Sequence, residues 1–417
     1  MKLVVHRGAH EVGGSCIELQ YANTTILVDF GLPLEFDLDE PIQSALPSSL
    51  TGLTARSSSI DGLLLSHPHL DHYGLAGLLP DAIPVYCGKA TWDLMAATSR
   101  INQNKLPLPK VSHFTAWEKF TIGELTITPY LLDHSAFDSY GFLIEDGEKN
   151  IFYTGDFRVH GRKGALIKRL PAQLPEIDAL IMEGTLIGNR SEESHLSEFE
   201  LEDEFVRVMD KTKGITMVTT SSQNIDRLVT VFKAAKRTGR MFIVDFYTAE
   251  ILDILKEYAR LPNASWPGIR VCYPQFLTRM FEERGMADIL EKHRSNGIKW
   301  TRINEKKDKM VLLVRPGFLG NLKRFINLDG ATWIYSMWPG YFERSQSLEK
   351  FRSFMLENAV RYEYLHTSGH AKITDLQKFV SSLKPKMVIP VHSFHTEQFS
   401  DYFPNVRLLK DGEFLTV

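Results

Sequence analysis

Apolar residues in the first 185 positions come in short blocks that end on polar groups and glycine. Ile26-Leu27-Val28 runs into Asp29-Phe30-Gly31, and Leu63-Leu64-Leu65 runs into Ser66-His67. Ile151-Phe152-Tyr153 runs into Thr154-Gly155-Asp156, and Ala179-Leu180-Ile181-Met182 into Glu183-Gly184-Thr185. Blocks of this kind predict buried strands, with polar chemistry gathered on the loops at their carboxyl ends. They follow one another too closely, with too many turns, for a plain doubly wound sheet. From about Asn189 to Tyr341 the rhythm lengthens. Predicted helices over Glu198–Asp210, Arg227–Arg237 and Thr248–Tyr258 are interleaved with predicted strands at Ile215–Val218, Met241–Val244, Val311–Val314 and Trp333–Tyr335. That spacing predicts βαβ units and a parallel sheet. The tail returns to the first style, with Met387–Val391 running into His392. The pattern therefore predicts an α/β insert over 189–345 within a domain formed by 1–188 and completed by 346–417. No internal repeat or low-complexity segment is present.

The densest chemistry is His67-Pro68-His69-Leu70-Asp71-His72, directly after an apolar block. Three imidazoles and a carboxylate within six residues exceed what packing explains, and both groups are metal ligands. His67 and His69 fall on one side of an extended turn, whereas Asp71 and His72 fall where a helix begins. Two ions about 3.5–4 Å apart can clamp the attacking and the leaving oxygen of a displacement. A pair of sites needs further ligands from distant sequence. His134, Asp156 and His392 stand in matching contexts, each closing an apolar stretch.

The motif His-x-His-x-Asp-His resembles the signature of the metallo-β-lactamase superfamily. His134 and Asp156 match its later ligand motifs, and Asp29 matches its early acidic motif. Glu183, His370 in Thr367-Ser368-Gly369-His370-Ala371, and His392 resemble motifs A, B and C of the β-CASP nucleases. The resemblance spans nearly the whole chain and is greatest to ribonuclease J, although Ser393-Phe394-His395 departs from the usual sequence after motif C. The resemblance implies a metallo-β-lactamase αββα sandwich with an inserted β-CASP α/β domain. It also implies a two-metal phosphodiester hydrolase acting on RNA, by exonuclease or endonuclease cleavage.

On that footing His67, His69 and His134 are assigned to one ion, and Asp71, His72 and His392 to the other. Asp156 bridges them, and Asp29 orients a ligand imidazole. His-rich ligands favour two Zn2+, with Mn2+ as the alternative. His370, oriented by Glu183, is assigned as acid and phosphate binder, while Asp71 is grouped with both as catalytic. Ser221 and Ser222, in Thr219–Asn224, and Ser368 and Gly369 are assigned to the nucleic-acid backbone. Trp338 and Tyr341 are candidates for base stacking. His160, His195, His366 and His395 are read as bystanders. The competing substrates are DNA and small esters, lactones or thioesters. Small-molecule relatives lack the long insert and the His370–Glu183 pair.

Composition adds limits. The 417 residues are 43% hydrophobic and 24% charged, with a formal net charge of -3, which suits a multidomain globular chain. No run of about 18 apolar residues occurs and the N-terminus has no secretory apolar stretch. A cytoplasmic protein without a membrane span is expected. Cys16, Cys87 and Cys272 form no CxxC pair, which argues against a disulfide framework or a cysteine zinc site. Any field for nucleic acid must be local. Between Arg270 and Arg324 thirteen Lys and Arg stand against six Asp and Glu, whereas Glu192 to Glu204 is acidic.

Overall fold

The computed structural model describes residues 1–50, 60–102, 106–188 and 196–417. His195 and the start of the acidic stretch lie outside these. The chain divides into one unit of Met1–Ser194 with Gly369–Val417 and a second of His195–Ser368.

Strand alternation builds the first unit. Among the described residues, one sheet runs in spatial order Phe414–Thr416, Lys2–Arg7, Cys16–Tyr21, Thr24–Phe30, Gly62–Leu64, Val85–Cys87, Val111–His113. The other runs Met387–Val391, Ala179–Glu183, Asn150–Tyr153, Tyr140–Glu145, Leu125–Leu131, Phe120–Ile122. Successive side chains leave a strand on opposite faces. Ile26, Val28, Ile151, Tyr153, Ala179 and Ile181 therefore meet in one core between the sheets. Leu27, Leu63 and Cys87 face outward into a cluster with Tyr73 and Met95 of the helices Leu70–Tyr73 and Lys89–Asn102. Phe152, Leu180 and Met182 face outward against Leu376, Phe379 and Val380 of the helix Ile373–Leu383. Helix, sheet, sheet, helix is the αββα sandwich expected. The uninterrupted apolar blocks arise because both faces of each central strand are covered.

In the second unit six parallel strands lie in the order Ile269–Cys272, Met241–Asp245, Met310–Leu313, Thr216–Thr219, Thr332–Tyr335, Arg361–Tyr364. Side-chain caps open several of its helices. Ser197 and Glu200 form a capping box before Glu198–Lys211, and the Asn224 side chain accepts from Arg227 N to open Ile225–Arg237. The unit extends past position 345, where the sequence pattern had placed the return. The helix Gln346–Glu357 leads into Arg361–Tyr364, and that strand pairs with Thr332–Tyr335 at the sheet edge. Its sequence, Arg-Tyr-Glu-Tyr, lacks an apolar block because an edge strand is half solvated.

The unit's two ends are tied together. Thr367 Oγ1 donates to Leu196 O at 2.6 Å. Buried Arg227 donates to Glu198 Oε1 at 2.9 Å and Thr367 O at 3.3 Å, and also bonds Ser336 Oγ. No helix among the described residues is long and apolar enough to cross a membrane.

Candidate metal centre

Two donor clusters form at the carboxyl ends of the first unit's strands. His67, His69 and His134 offer ligand atoms within 4.8 Å of one another, as do Asp71, His72, Asp156 and His392. His67 and His72 flank the turn after Gly62–Leu64. The Asp71 carbonyl is pressed so close to Gly31 that a Cβ there would lie 1.7 Å from its oxygen. That contact requires the glycine of Asp29-Phe30-Gly31. Asp29 and His392 have φ of 57° and 52°, left-handed values that non-glycine residues seldom adopt. Strain of this kind persists only where surrounding bonds hold it. Asp29 accepts from Ser66 N and Tyr153 Oη, both at 2.7 Å, and His392 N donates to Gly8 O at 2.8 Å.

Hydrogen bonds behind the imidazoles set their tautomers. The Ser66 hydroxyl donates to Asp29 Oδ2 at 2.8 Å, so its oxygen receives His67 Nδ1–H at 3.0 Å. His72 Nδ1 donates to Asp29 Oδ2 at 2.8 Å and His134 Nδ1 to Gly369 O at 2.6 Å. The Thr185 hydroxyl donates to Glu183 Oε2 at 2.7 Å, leaving its oxygen for His392 Nδ1–H at 2.9 Å. All four bonds turn Nε2 towards the clusters. His69 instead points Nδ1 inward, 3.1 Å from His67 Nε2 and 3.4 Å from His134 Nε2.

The electrostatics agree. Burial, reinforced by neighbouring imidazoles, holds His67 and His134 well below the ordinary imidazole range, so both present lone pairs. Around His72 burial acts downward, yet Asp156, Asp29 and Asp71 outweigh it and hold the ring well above that range. Burial likewise works against ionisation of Asp71 and Asp156. Facing imidazoles nevertheless bring Asp71 down to about 2 and Asp156 well below the usual carboxylate range. Three carboxylates here call for positive charge, and a cation can replace the His72 proton. Buried Asp156 Oδ1 and His72 Nε2 make no hydrogen bond, although His72 Nε2 lies 3.2 Å from Asp156 Oδ2. Converging lone pairs, excess carboxylate and orphaned polar atoms fit a divalent cation. Removing the Asp29 carboxylate frees the His72 ring. Asp29→Ala is expected to weaken divalent-metal binding about 10–100-fold, measured by competition with a chromogenic chelator. Unchanged affinity would show that Asp29 serves the fold alone.

His370 Nδ1 lies 3.3 Å from Glu183 Oε1 and 3.8 Å from Asp156 Oδ2. Burial opposes its charge, but Glu183 and Asp156 raise it above the ordinary imidazole range. Glu183, His370 and His392 could also group around an ion. However, Glu183 already accepts from Thr185 N, Thr185 Oγ1, Ala371 N and Phe157 N. That saturation suits an orienting carboxylate better than a ligand.

The residues assigned to the nucleic-acid backbone are more dispersed in role. Ser222, in the second unit, is buried and receives Arg315 Nη2 at 2.7 Å, beside an Arg315–Asp245 ion pair at 2.8 Å. Its hydroxyl is therefore committed to a buried network with Thr248. Ser221 is exposed and Ser368 buried, both in the same unit. Gly369 contributes the carbonyl that orients His134. Trp338 and Tyr341 pack edge to face at 5.6 Å, with Arg344 over Trp338. His395 pairs with Glu397 at 3.3 Å, and His366 lies 3.5 Å from Arg227 in the second unit. The sequence pattern missed Ser66, Tyr153 and Thr185. Each is a hydroxyl at or beside a predicted strand end, a signal too common to single them out.

Residues 24–240 match the family described as beta-lactamase superfamily domain. Residues 358–403 match Zn-dependent metallo-hydrolase RNA specificity domain. The transcription termination factor FttA of Methanothermobacter thermautotrophicus is 26% identical over 353 residues, covering 76% of this chain and 52% of that protein. Ribonuclease J of Mycoplasma genitalium is 22% identical over 412 residues, covering 94% of this chain and 67% of that protein. This chain thus spans about half the length of the first relative and two thirds of the second. A crystal structure of a protein of unknown function from Enterococcus faecalis shares the fold. Its TM-score is 0.80 at 19% identity, over 100% of this chain and 99% of that one.

Proposed function

The chain belongs to the β-lactamase superfamily, and from that footing we propose that it is a two-zinc hydrolase of the β-CASP kind that cuts phosphodiester bonds in RNA. The observation that carries this reading is the His370–Glu183 pair beside two metal-donor clusters, which adds a proton donor to a cation site. The match of 358–403 to an RNA specificity domain and the similarity to ribonuclease J support RNA as the polymer.

His67, His69 and His134 would hold one ion and Asp71, His72 and His392 the other, with Asp156 between them. Bound divalent ions lower the pKa of water and neutralise charge growing on phosphate oxygens. Asp29, Ser66, Thr185 and the Gly369 carbonyl hold the ligand imidazoles in the tautomers that leave inward lone pairs. His370, kept protonated by Glu183, binds the scissile phosphate and passes a proton to the leaving oxygen. Ser221 is proposed as a hydroxyl donor to the RNA backbone.

The purified chain is expected to carry about two zinc ions and to degrade end-labelled 5′-monophosphate RNA. EDTA should abolish that activity, and added Zn2+ or Mn2+ should restore it. Product lengths distinguish terminal from internal cutting. A chain that prefers DNA of the same sequence overturns the choice of polymer. A metal-loaded chain that cuts neither sinks the nuclease reading and turns attention to esters and lactones.

A further inference from the structure

We propose that the second unit carries a pocket for one unpaired nucleobase of an RNA strand, an inference that rests on the RNA reading above. The helix Gln275–Glu283 follows the strand Ile269–Cys272. The turn Pro316–Phe318 and the helix Leu319–Phe325 follow the strand Met310–Leu313. Both segments leave the carboxyl edge of one parallel sheet, where ligand crevices of open α/β sheets form. They border a half-open cavity of about 380 Å³ lined by Gln275, Phe276, Arg279, Gly317, Gly320 and Asn321. That volume falls within the range of about 300–1,000 Å³ typical of small-molecule sites.

The lining supplies what a base needs. Phe276 is 54% exposed, a large apolar side chain left open to solvent. Gly317 packs directly against the ring, where a Cβ would come 3.2 Å from it, whereas a Cβ on Gly320 would meet nothing. The exposed ring beside the bare backbone of Gly320 leaves room for a flat ring to stack on it.

Asn321 provides an edge contact. It is 2% exposed, and its Oδ1 accepts from Gln275 N at 3.0 Å. That bond fixes which end of the amide is which. Its Nδ2 is then a buried donor with no partner. Buried donors are nearly always satisfied, and the carbonyl of uracil or guanine would satisfy this one. Positive charge stands at the rim. Arg279 lines the cavity with its side chain 73% exposed, 4.0 Å from Glu283, and Lys323 and Arg324 are exposed further along the helix that carries Gly320 and Asn321, over Phe354 and Phe325. Such cations suit the phosphates on either side of a stacked base.

The test is the affinity of the full zinc-loaded chain for a fluorescein-labelled phosphorothioate dodecauridylate, a strand chosen to resist hydrolysis, read by fluorescence anisotropy. Phe276→Ala is expected to raise Kd about 5- to 150-fold, the range for losing one aromatic–base stack. Phe276→Trp should return Kd to the wild-type value. The abasic form of the strand should bind wild type and Phe276→Ala alike. Phe276 is a surface residue, so both variants should keep the wild-type circular dichroism melt. A Kd for dodecauridylate that Phe276→Ala leaves unchanged overturns the pocket while the RNA reading stands. A wild-type chain that binds no RNA overturns both.

Discussion

His370→Ala is expected to retain its metal and to lose RNA cleavage by about 10²–10⁴-fold, the usual contribution of a positioned proton donor. Retention follows from geometry. The four histidines whose Nε2 faces the donor clusters are each held from behind by another group, and none of those groups is His370. Loss of cleavage follows from charge. Glu183, 3.3 Å from His370 Nδ1 and outside the assigned ligand set, favours the protonated ring against burial. The leaving oxygen would lose its proton donor and the phosphate a cation. If the ring acts in its protonated form, as proposed, wild-type kcat should fall as pH rises through its pKa. Glu183→Gln should move that alkaline limb to lower pH, since the carboxylate that holds the proton is gone. Metal content by mass spectrometry and kcat on end-labelled RNA decide the matter together. If His370→Ala loses metal in step with activity, the ring is a ligand and its assignment as the acid fails.

Glu198→Ala is expected to destabilise the second unit by about 3–5 kcal/mol, the range for removing one partner of a buried ion pair. Glu198 and Arg227 are fully buried, and the carboxylate also accepts Thr230 Oγ1 at 2.7 Å. Deleting it leaves a guanidinium in the interior with only neutral acceptors. The double variant Glu198→Leu with Arg227→Met should recover much of the loss, because no buried charge remains. Urea unfolding followed by tryptophan fluorescence reports it, since Trp266, Trp300, Trp333 and Trp338 lie in this unit. A loss below about 1 kcal/mol would mean that the pair is screened like a surface salt bridge.

These two predictions differ in how far the sequence foretells them. The imidazoles of 67–72 are adjacent along the chain and directly follow an apolar strand, so their chemistry shows before any fold is known. His134, Asp156 and His392 are legible because a strand end is a local signal. Glu198 is not legible, since a glutamate in a helix-forming stretch gives no sign that it will be buried opposite Arg227. Thr185 is similar: its hydroxyl meets His392 across 207 positions, only because Ala179–Glu183 pairs with Met387–Val391. The strand Arg361–Tyr364 hides for another reason. Its edge position permits charged residues, so the second unit runs further along the chain than apolar blocks suggest.

The bond from Thr367 to Leu196 means that the second unit begins and ends at one place. A polypeptide closed in this way behaves as a cassette, whose strand order does not depend on where the chain is cut. Joining the two ends through a short linker and opening a surface loop instead would give a circular permutant with the same six-stranded sheet. The same property means that such a segment can be joined into a surface loop of another domain while disturbing only that loop.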